Sequence, residues 1–174
     1  MLEIILIVAI LAADQITKYL SEALLSPLGT SVPLIDGVFH FTSTHNTGAA
    51  WGLLPGKKWF FLILTFFVVV FLAFYLFRGR KRMTLLSRIT LSLLLAGALG
   101  NAIDRAIFSY VRDFFDFCLI NFPVFNVADS SLTIGCILMA IDVLFMKDKS
   151  MFEIKFGPRA ASEPDDAQKP SDAA

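Results

Sequence analysis

The stretch WFFLILTFFVVVFLAFYLF, residues 59–77, decides the class of fold. Every residue in it is apolar or aromatic except Thr65. At a rise of about 1.5 Å per residue, a helix of this length is roughly 28 Å long, which matches a hydrocarbon core of about 30 Å. The stretch therefore predicts a transmembrane helix.

Three further stretches are long and apolar enough to cross a bilayer: residues 2–19, 85–108 and 128–146. The first has the position of a signal peptide, but no basic region precedes it and no small-residue cleavage site follows, so we interpret it as a retained helix. Hydrophobic residues make up 56% of the chain, above the roughly 45–50% of a soluble domain. The sequence predicts an all-α membrane protein with four transmembrane helices.

The distribution of charge predicts how these helices are oriented. Fifteen acidic residues balance fifteen basic ones, so no net charge indicates a nucleic-acid partner. The basic run RGRKRM, residues 78–83, separates the second and third spans, and KDK, residues 147–149, follows the fourth. By the positive-inside rule both runs are cytoplasmic, so both termini are cytoplasmic and residues 20–58 and 109–127 face outward.

Two regions are distinguished by composition. Residues 1–149 contain all four spans and form one predicted membrane domain. Residues 150–174 are rich in Pro, Ala, Ser and Asp without a periodic apolar face, which predicts a disordered cytoplasmic tail.

The outward segments contain strand-like sequences. GVFHFTSTH, residues 37–45, and VRDFFDFCLI, residues 111–120, mix aromatic and β-branched residues with partial alternation. This pattern is typical of short, half-buried strands. We therefore expect a small extracytoplasmic β-sheet beside the four helices.

Ionisable residues collect at the outer end of the spans. Asp104 lies 19 residues beyond Leu85, and Asp129 lies 17 residues before Met146. These separations correspond to roughly 28 and 26 Å of helix in a core of about 30 Å, so both carboxylates reach the outer boundary. Charged side chains in or beside a span are costly and usually functional. The charged residues predicted at this level are Asp14, Lys18, Asp104, Arg105, Asp113 and Asp129.

Some of these residues have a structural interpretation. Asp14 and Lys18 are four residues apart, so they share a helix face and can pair; an internal ion pair is at least as good an explanation as catalysis. We expect Asp104 to neutralise and orient its neighbour Arg105. Asp142, near the cytoplasmic end of the fourth span, is interpreted as interfacial.

Small residues in the third span predict close helix contact. Two adjacent stripes with a spacing of four lead into the polar cluster, and such stripes allow helices to approach each other in membranes. They are Ser92, Ala96, Gly100 and Asp104, and beside them Gly97, Asn101 and Arg105.

Asp113 and Asp129 remain open to two interpretations. Asp129 begins a helix and could serve only as its N-cap. Alternatively, two carboxylates in a poorly solvated site cannot both ionise cheaply, so one holds a proton while the other activates water. Such a dyad needs no metal and no cofactor. His40 and His45, the only imidazoles, have no ligand partner at metal spacing and are interpreted as polar strand or loop residues.

Five motifs, in order, resemble the lipoprotein signal peptidase family, also called signal peptidase II. They are DQITK (14–18), HNTGAAWG (45–52), GALGNAIDR (97–105), VRDFFDF (111–117) and FPVFNVADSSLTIG (122–135). Each motif alone is weak, whereas the ordered set is specific.

The resemblance implies an intramembrane aspartic endopeptidase of the bacterial cytoplasmic membrane. Members of this family remove signal peptides from diacylglyceryl-modified prolipoproteins by cutting before the lipidated Cys, at the outer leaflet, and we expect this chain to do so as a monomer. The family's catalytic acids fall on Asp113 and Asp129. Its substrate-binding or supporting residues fall on Asp14, Lys18, Asn46, Gly48, Gly97, Asn101, Asp104, Arg105, Asn126 and Ala128.

The alternative hypothesis is a small proton-coupled transporter or an assembly subunit that uses the same charges. A transporter needs polar residues along a path to the cytoplasmic side, but the second span offers only Thr65. An assembly subunit does not need acids without partners in an outer groove. Both hypotheses are therefore weaker than the peptidase.

Overall fold

The computed structural model describes residues 1–49 and 53–145, which form four long helices and a three-stranded sheet. The predicted tail at 150–174, the basic run at 147–149, the last residue of the fourth predicted span and residues 50–52 of the second motif lie outside the described residues. The helices are α1 (Leu2–Leu24), α2 (Lys58–Gly79), α3 (Leu85–Phe108) and α4 (Val127–Phe145). The strands are β1 (Ser31–Ile35), β2 (Phe39–Asn46) and β3 (Val111–Asp116), and a short 3₁₀ helix covers Cys118–Ile120.

All four predicted spans are confirmed as helices long and apolar enough to cross a membrane. The central one is α3, which packs against α1, α2 and α4 and has more buried residues than any other described element. Along α2, by contrast, large apolar side chains such as Phe66, Phe67 and Phe74 are more than half exposed. In a bilayer these side chains face the acyl chains, where exposure of apolar surface carries no hydrophobic cost.

The ends of α3 follow from local capping. The Thr84 hydroxyl accepts a hydrogen bond from the Ser87 amide at 3.1 Å, as a helix N-cap does. At the other end Ser109 adopts a left-handed conformation, with φ 74°, and the chain turns there into β3. This turn brings Asp113 back beside the helix end.

Helix α1 continues to Leu24, beyond the predicted end at residue 19. The extra turn is amphipathic rather than apolar, and a search for apolar residues misses it for that reason. Glu22, in this turn, bonds to His45 of β2 and Arg112 of β3. The end of α1 is therefore stabilised by the sheet.

The sheet has the order β1-β2-β3, with both pairs antiparallel. The two predicted strand segments are confirmed as β2 and β3, although the second ends at Asp116 and continues as the 3₁₀ helix. Strand β1, SVPLI, escaped prediction because it is an exposed edge strand containing Pro33, and proline is tolerated only at such edges. The register places His45 opposite Arg112 and Asn46 opposite Val111.

The predicted close approach of α3 to its neighbours is confirmed at two glycines. A Cβ added at Gly97 would lie 2.5 Å from the Ala128 carbonyl oxygen of α4, and one at Gly100 would lie 2.7 Å from Asp14 Oδ2. Both separations are too short for any side chain. The absence of a Cβ thus lets α1, α3 and the start of α4 meet at the polar cluster.

Candidate active site

A buried ion pair joins α1 to α3 beneath the site. Lys18 Nζ lies 2.9 Å from Asp14 Oδ2, and both side chains are fully buried, so the predicted pairing is confirmed. The same ammonium donates to Asn101 Oδ1 at 3.0 Å and lies 3.4 Å from Asp104 Oδ2. A buried charge is tolerable only when it is paired and hydrogen-bonded in this way.

The start of α4 is held by the same cluster. Asp14 Oδ1 accepts a hydrogen bond from the Ala128 amide at 2.9 Å. This amide is one of the orphan donors of the helix N-terminus, which favours a negative group. Asp14 therefore fixes the position of α4 relative to α1.

Asn126, rather than Asp129, is the N-cap of α4. Its side-chain oxygen accepts from the Asp129 amide at 2.9 Å, while Asp129 Oδ2 accepts from the Asn126 amide at 3.2 Å. This reciprocal pair has the form of a capping box, in which the acid occupies the third helical position. Asp129 Oδ1 has a separate role, because it accepts from the Asn101 side chain at 2.7 Å.

Asp113 lies on β3 and is 3% exposed. Its Oδ1 accepts from Asn126 Nδ2 at 2.6 Å, and its Oδ2 accepts from Asn46 Nδ2 at 3.2 Å. Burial and, to a smaller extent, the charge of Asp129 together raise the pKa of Asp113 to about 7, against the opposing effect of the two amide donors. One proton can therefore be held in this pair of acids near neutral pH.

Asp113 and Asp129 both line a cavity of about 690 Å³. Asn46, Asn101 and Arg105 add polar groups to the same wall. The rest of the lining is largely apolar: Val111, Phe117, Ile120, Phe122, Pro123, Val124, Phe125, Leu132 and Ile134. Two acids at the edge of a mainly apolar cavity form a site in which a peptide bond could be polarised and attacked by water.

The predicted pairing of Asp104 with Arg105 is wrong. Consecutive helix residues do not face each other, and Arg105 instead donates to the Gly48 carbonyl at 2.7 Å and packs over the Phe61 ring at 4.8 Å. Asp104 is bonded by Arg112, whose Nη2 donates to Oδ1 at 2.8 Å. The role of Arg112 is not visible in the sequence, because its side-chain partners lie on α1 and α3.

Two other assignments can be compared with the structure. Asp142 is fully buried and accepts a hydrogen bond from the Ser87 hydroxyl at 2.7 Å, so it joins α4 to α3, a contact that the sequence did not predict. His40 and His45 lie on β2, and His45 stacks on Tyr110. Within residues 1–49 and 53–145, no group of three His, Cys, Asp or Glu side chains could hold a metal ion.

Of the twelve site residues expected from sequence, five line the cavity, and the other seven are joined to them by the contacts described above. Asn46 binds Asp113 and also accepts the Gly48 amide at 2.9 Å. Gly97 and Ala128 form the close helix contact on which the cluster rests. The missed members, besides Arg112, are two residues of α1: Gln15, which donates to Asp104, and Glu22, which accepts from Arg112.

Comparison with known proteins gives a consistent result. The family described as signal peptidase (SPase) II matches residues 6–145. A lipoprotein signal peptidase of Bacillus subtilis (strain 168) is 44% identical over 155 residues, which is 88% of this chain and 99% of that protein. One of Brevibacillus brevis is 48% identical over 134 residues, covering 77% of this chain and 89% of that protein.

Two solved structures, each described as a bacterial membrane enzyme, have the same fold. The first has a TM-score of 0.76 at 41% identity and covers 85% of this chain and 89% of its own. The second has a TM-score of 0.71 at 39% identity and covers 82% of this chain and 92% of its own.

Proposed function

Since the chain belongs to the signal peptidase II family, we propose that it is an aspartic endopeptidase for diacylglyceryl-modified prolipoproteins. It removes the signal peptide by cutting the peptide bond before the lipidated Cys. Asp113 and Asp129 are the catalytic pair. The observation that carries this proposal is that Asn126 bonds both acids at the wall of one cavity.

The two acids share one proton during the reaction. The ionised carboxylate takes a proton from a water molecule, and the resulting hydroxide attacks the scissile carbonyl carbon. The protonated carboxyl donates a hydrogen bond to the carbonyl oxygen, which becomes the oxyanion of the tetrahedral intermediate. The departing amine, on the Cys side, then receives a proton from the pair. Because the two groups titrate together, the roles belong to the pair.

Asparagine side chains hold the two catalytic carboxylates in position. Asn101 and Asn126 donate to Asp129 and Asp113, and Asn46 donates to the second oxygen of Asp113. Charged or amide donors that are already in place need no reorganisation when the reaction begins. Arg105, which lines the cavity and bonds the Gly48 carbonyl, positions the backbone at Gly48 next to the substrate.

The cavity walls suit a lipid-anchored substrate. Phe122, Phe125 and Leu132 present apolar surface beside the acids, and such surface accommodates acyl chains or the apolar residues of a signal peptide. Substrate held by its lipid and its spanning helix brings the scissile bond to the outer leaflet. Asp113 reaches that level from β3 and Asp129 from the start of α4.

This proposal includes an orientation. Both termini are cytoplasmic, and the sheet and the cavity are extracytoplasmic, which is supported by the basic residues that separate α2 from α3. A monomer suffices, since every residue assigned to the site comes from one chain. Residues 1–149 act as the catalytic membrane domain, and residues 150–174 form a cytoplasmic tail outside it.

The test is cleavage of a lipidated prolipoprotein by the purified, full-length protein in detergent or lipid nanodiscs. The expected product is shortened by its signal peptide and begins with the lipidated Cys, as mass spectrometry would detect. A matched substrate without diacylglyceryl should be cut much more slowly. Equal cleavage of both substrates would contradict the assigned substrate class, and no cleavage of either would contradict the proposed function.

A further inference from the structure

Arg112 is a buried cation that the reaction scheme does not use. It immediately precedes Asp113 on β3 and is 5% exposed. Successive residues of a strand point to opposite faces, so its guanidinium lies on the side of β3 away from the cavity. It is not one of the residues that line the cavity. Its contribution must therefore pass through the residues that it binds.

Asp104 is the main partner of Arg112. Asp104 Oδ2 accepts both the Arg112 backbone amide at 3.0 Å and Nε at 3.1 Å, while Oδ1 accepts Nη2 at 2.8 Å. This fork pairs two planar groups, an arrangement that lysine cannot reproduce. One carboxylate of α3 thus holds both the main chain and the side chain of the residue next to Asp113.

The remaining contacts of Arg112 fix the guanidinium on its other sides. Nη2 donates to Gln15 Oε1 at 3.0 Å, Nη1 lies 3.4 Å from Glu22 Oε2, and the Phe108 ring lies 4.6 Å away. Its backbone carbonyl accepts from Asn126 Nδ2 at 3.4 Å. Asn126 is the residue that bonds both acids, so the main chain of Arg112 is linked to the dyad through Asn126.

Among the buried charges beneath the dyad, which exclude the partly exposed Glu22, the two signs balance only when Arg112 is included. Asp14 and Asp104 carry two negative charges, and Lys18 and Arg112 carry two positive ones; Lys18 approaches both acids. Without Arg112, Lys18 alone would serve two buried carboxylates, leaving one net negative charge near Asp113. A like charge in a poorly solvated region opposes ionisation of a carboxyl group.

We propose that Arg112 is a positioning residue of the catalytic pair, which neutralises Asp104 and so sets the backbone and the local charge at Asp113. This inference rests on the proposed aspartic mechanism. The other ionisable groups that face Arg112 and the dyad are Glu22 on α1, His45 on β2, Tyr110 before β3, Arg105 on α3 and Asp129 on α4.

The experiment compares Arg112→Gln with the full-length parent protein in nanodiscs. Two readouts are followed from pH 5 to 9: cleavage of lipidated substrate and the ¹³C carboxyl resonances of Asp113 and Asp129, assigned with Asp→Asn variants. Arg112→Gln should raise the upper titration midpoint of the pair, and the alkaline limb of cleavage, by about 0.5–1 pH unit. Unchanged midpoints in both readouts would overturn the proposal.

Three variants separate charge from structure. Asp104→Asn leaves one excess positive charge and should lower the midpoint, whereas the double variant Arg112→Gln/Asp104→Asn should return it to within about 0.3 unit of the parent. Arg112→Lys keeps the charge and should keep the midpoint, but turnover should fall several-fold because the fork is lost. A midpoint that does not respond to Asp104→Asn would also refute the proposal, even if Arg112→Gln does not fold.

Arg88→Gln is the matched control, since Arg88 bonds a buried carboxylate, Glu3, at 2.7 Å at the opposite end of α3. Arg88→Gln should lower thermal stability and leave both pH readouts unchanged. If it shifted the midpoints as much as Arg112→Gln does, the effect of Arg112 would be one of general stability and the proposal would fail. Failure of the proposed function is distinguishable, because a parent protein that cleaves nothing would refute the peptidase assignment while the ¹³C titration still decides whether Arg112 acts on the pair.

Discussion

Asn126 and Asp113 share the shortest hydrogen bond between the side chains of the site, in which Asn126 Nδ2 donates to Asp113 Oδ1 at 2.6 Å. The side-chain oxygen of the same Asn126 accepts the Asp129 amide. One residue is thus the helix cap of α4 and the link between the two acids. The start of α4 and the alignment of the two acids therefore depend on the same residue.

Asn126→Ala should damage both stability and activity. It removes the cap and leaves the buried Asp113 Oδ1 without its amide donor, at a cost of about 1–3 kcal/mol for a buried polar group. Turnover should fall by about 5- to 150-fold, since that is the factor to which about 1–3 kcal/mol corresponds. The measurement is cleavage rate and thermal midpoint of the purified variant.

Asn121→Gly is the control for that truncation. Asn121 is exposed and left-handed, with φ 48°, so glycine fits there without strain. It should retain near-parental turnover. Equal turnover by Asn126→Ala and the parent would contradict the linking role of Asn126.

The raised pKa of Asp113 predicts a dependence of stability on pH. Its pKa is about 7 in the folded protein and 3.8 for an ordinary aspartate. Between these values the folded protein keeps a proton that the unfolded chain has released, so the free energy of unfolding falls as the pH rises from about 4 to about 7. Above that range the contribution is constant.

The measurement is the thermal midpoint of the parent minus that of Asp113→Asn, taken at intervals from pH 5 to 8. Asparagine does not titrate, and the other groups contribute similarly to both proteins. The difference should decrease with rising pH and level off above about pH 7, where Asp113 is ionised in both states. A difference that is constant over this range would show that Asp113 has an ordinary pKa.

The sequence predicts the helices well because the cost of burying polar backbone in lipid leaves few alternatives to a helix. Both ends of α3 and the pairing of Asp14 with Lys18 follow from local spacing, and local spacing is visible in a sequence. The positions of Asp104 near the end of α3 and of Asp129 at the start of α4 follow from counting residues along straight helices.

The errors concern contacts made between elements. Arg105 and Asp104 are neighbours in sequence but bond to different groups, and Arg112 reaches Asp104 only because Ser109 turns the chain back. Asp142 is charged and near a predicted helix end, yet Ser87 of another helix binds it. Which distant side chain completes a buried polar group depends on the packing, and one sequence does not contain that information.

A labelling experiment tests the orientation. In a background of Cys118→Ser and Cys136→Ala, single cysteines at Asp36 and Lys81 should react with membrane-impermeant thiol reagents from opposite sides, Asp36 from outside. Both positions are exposed, and neither requires the positive φ of Gly37. Labelling of both from one side of intact cells or oriented vesicles would contradict the proposed orientation of the four helices.

The decisive prediction separates catalysis from helix capping at Asp129. Asn can keep the capping-box hydrogen bond from the Asn126 amide, but it cannot act as a base or hold the shared proton. Asp129→Asn should reduce turnover by several orders of magnitude, because acid–base catalysis alone contributes roughly 10²–10⁴. Asp113→Asn should match it, and the double variant should lose little more, since residues that act as one unit are not additive.

Asp36→Asn is the matched control for these substitutions. Asp36 is exposed in the turn between β1 and β2, whereas Asp142 is buried against Ser87 and would confuse stability with activity. Cleavage of lipidated substrate is measured at equal concentrations of folded protein, with thermal midpoints recorded for each variant. Asp36→Asn should cleave at the parental rate; near-parental cleavage by either Asp113→Asn or Asp129→Asn would exclude the two-carboxylate mechanism, because a pair that shares one proton cannot work with one member.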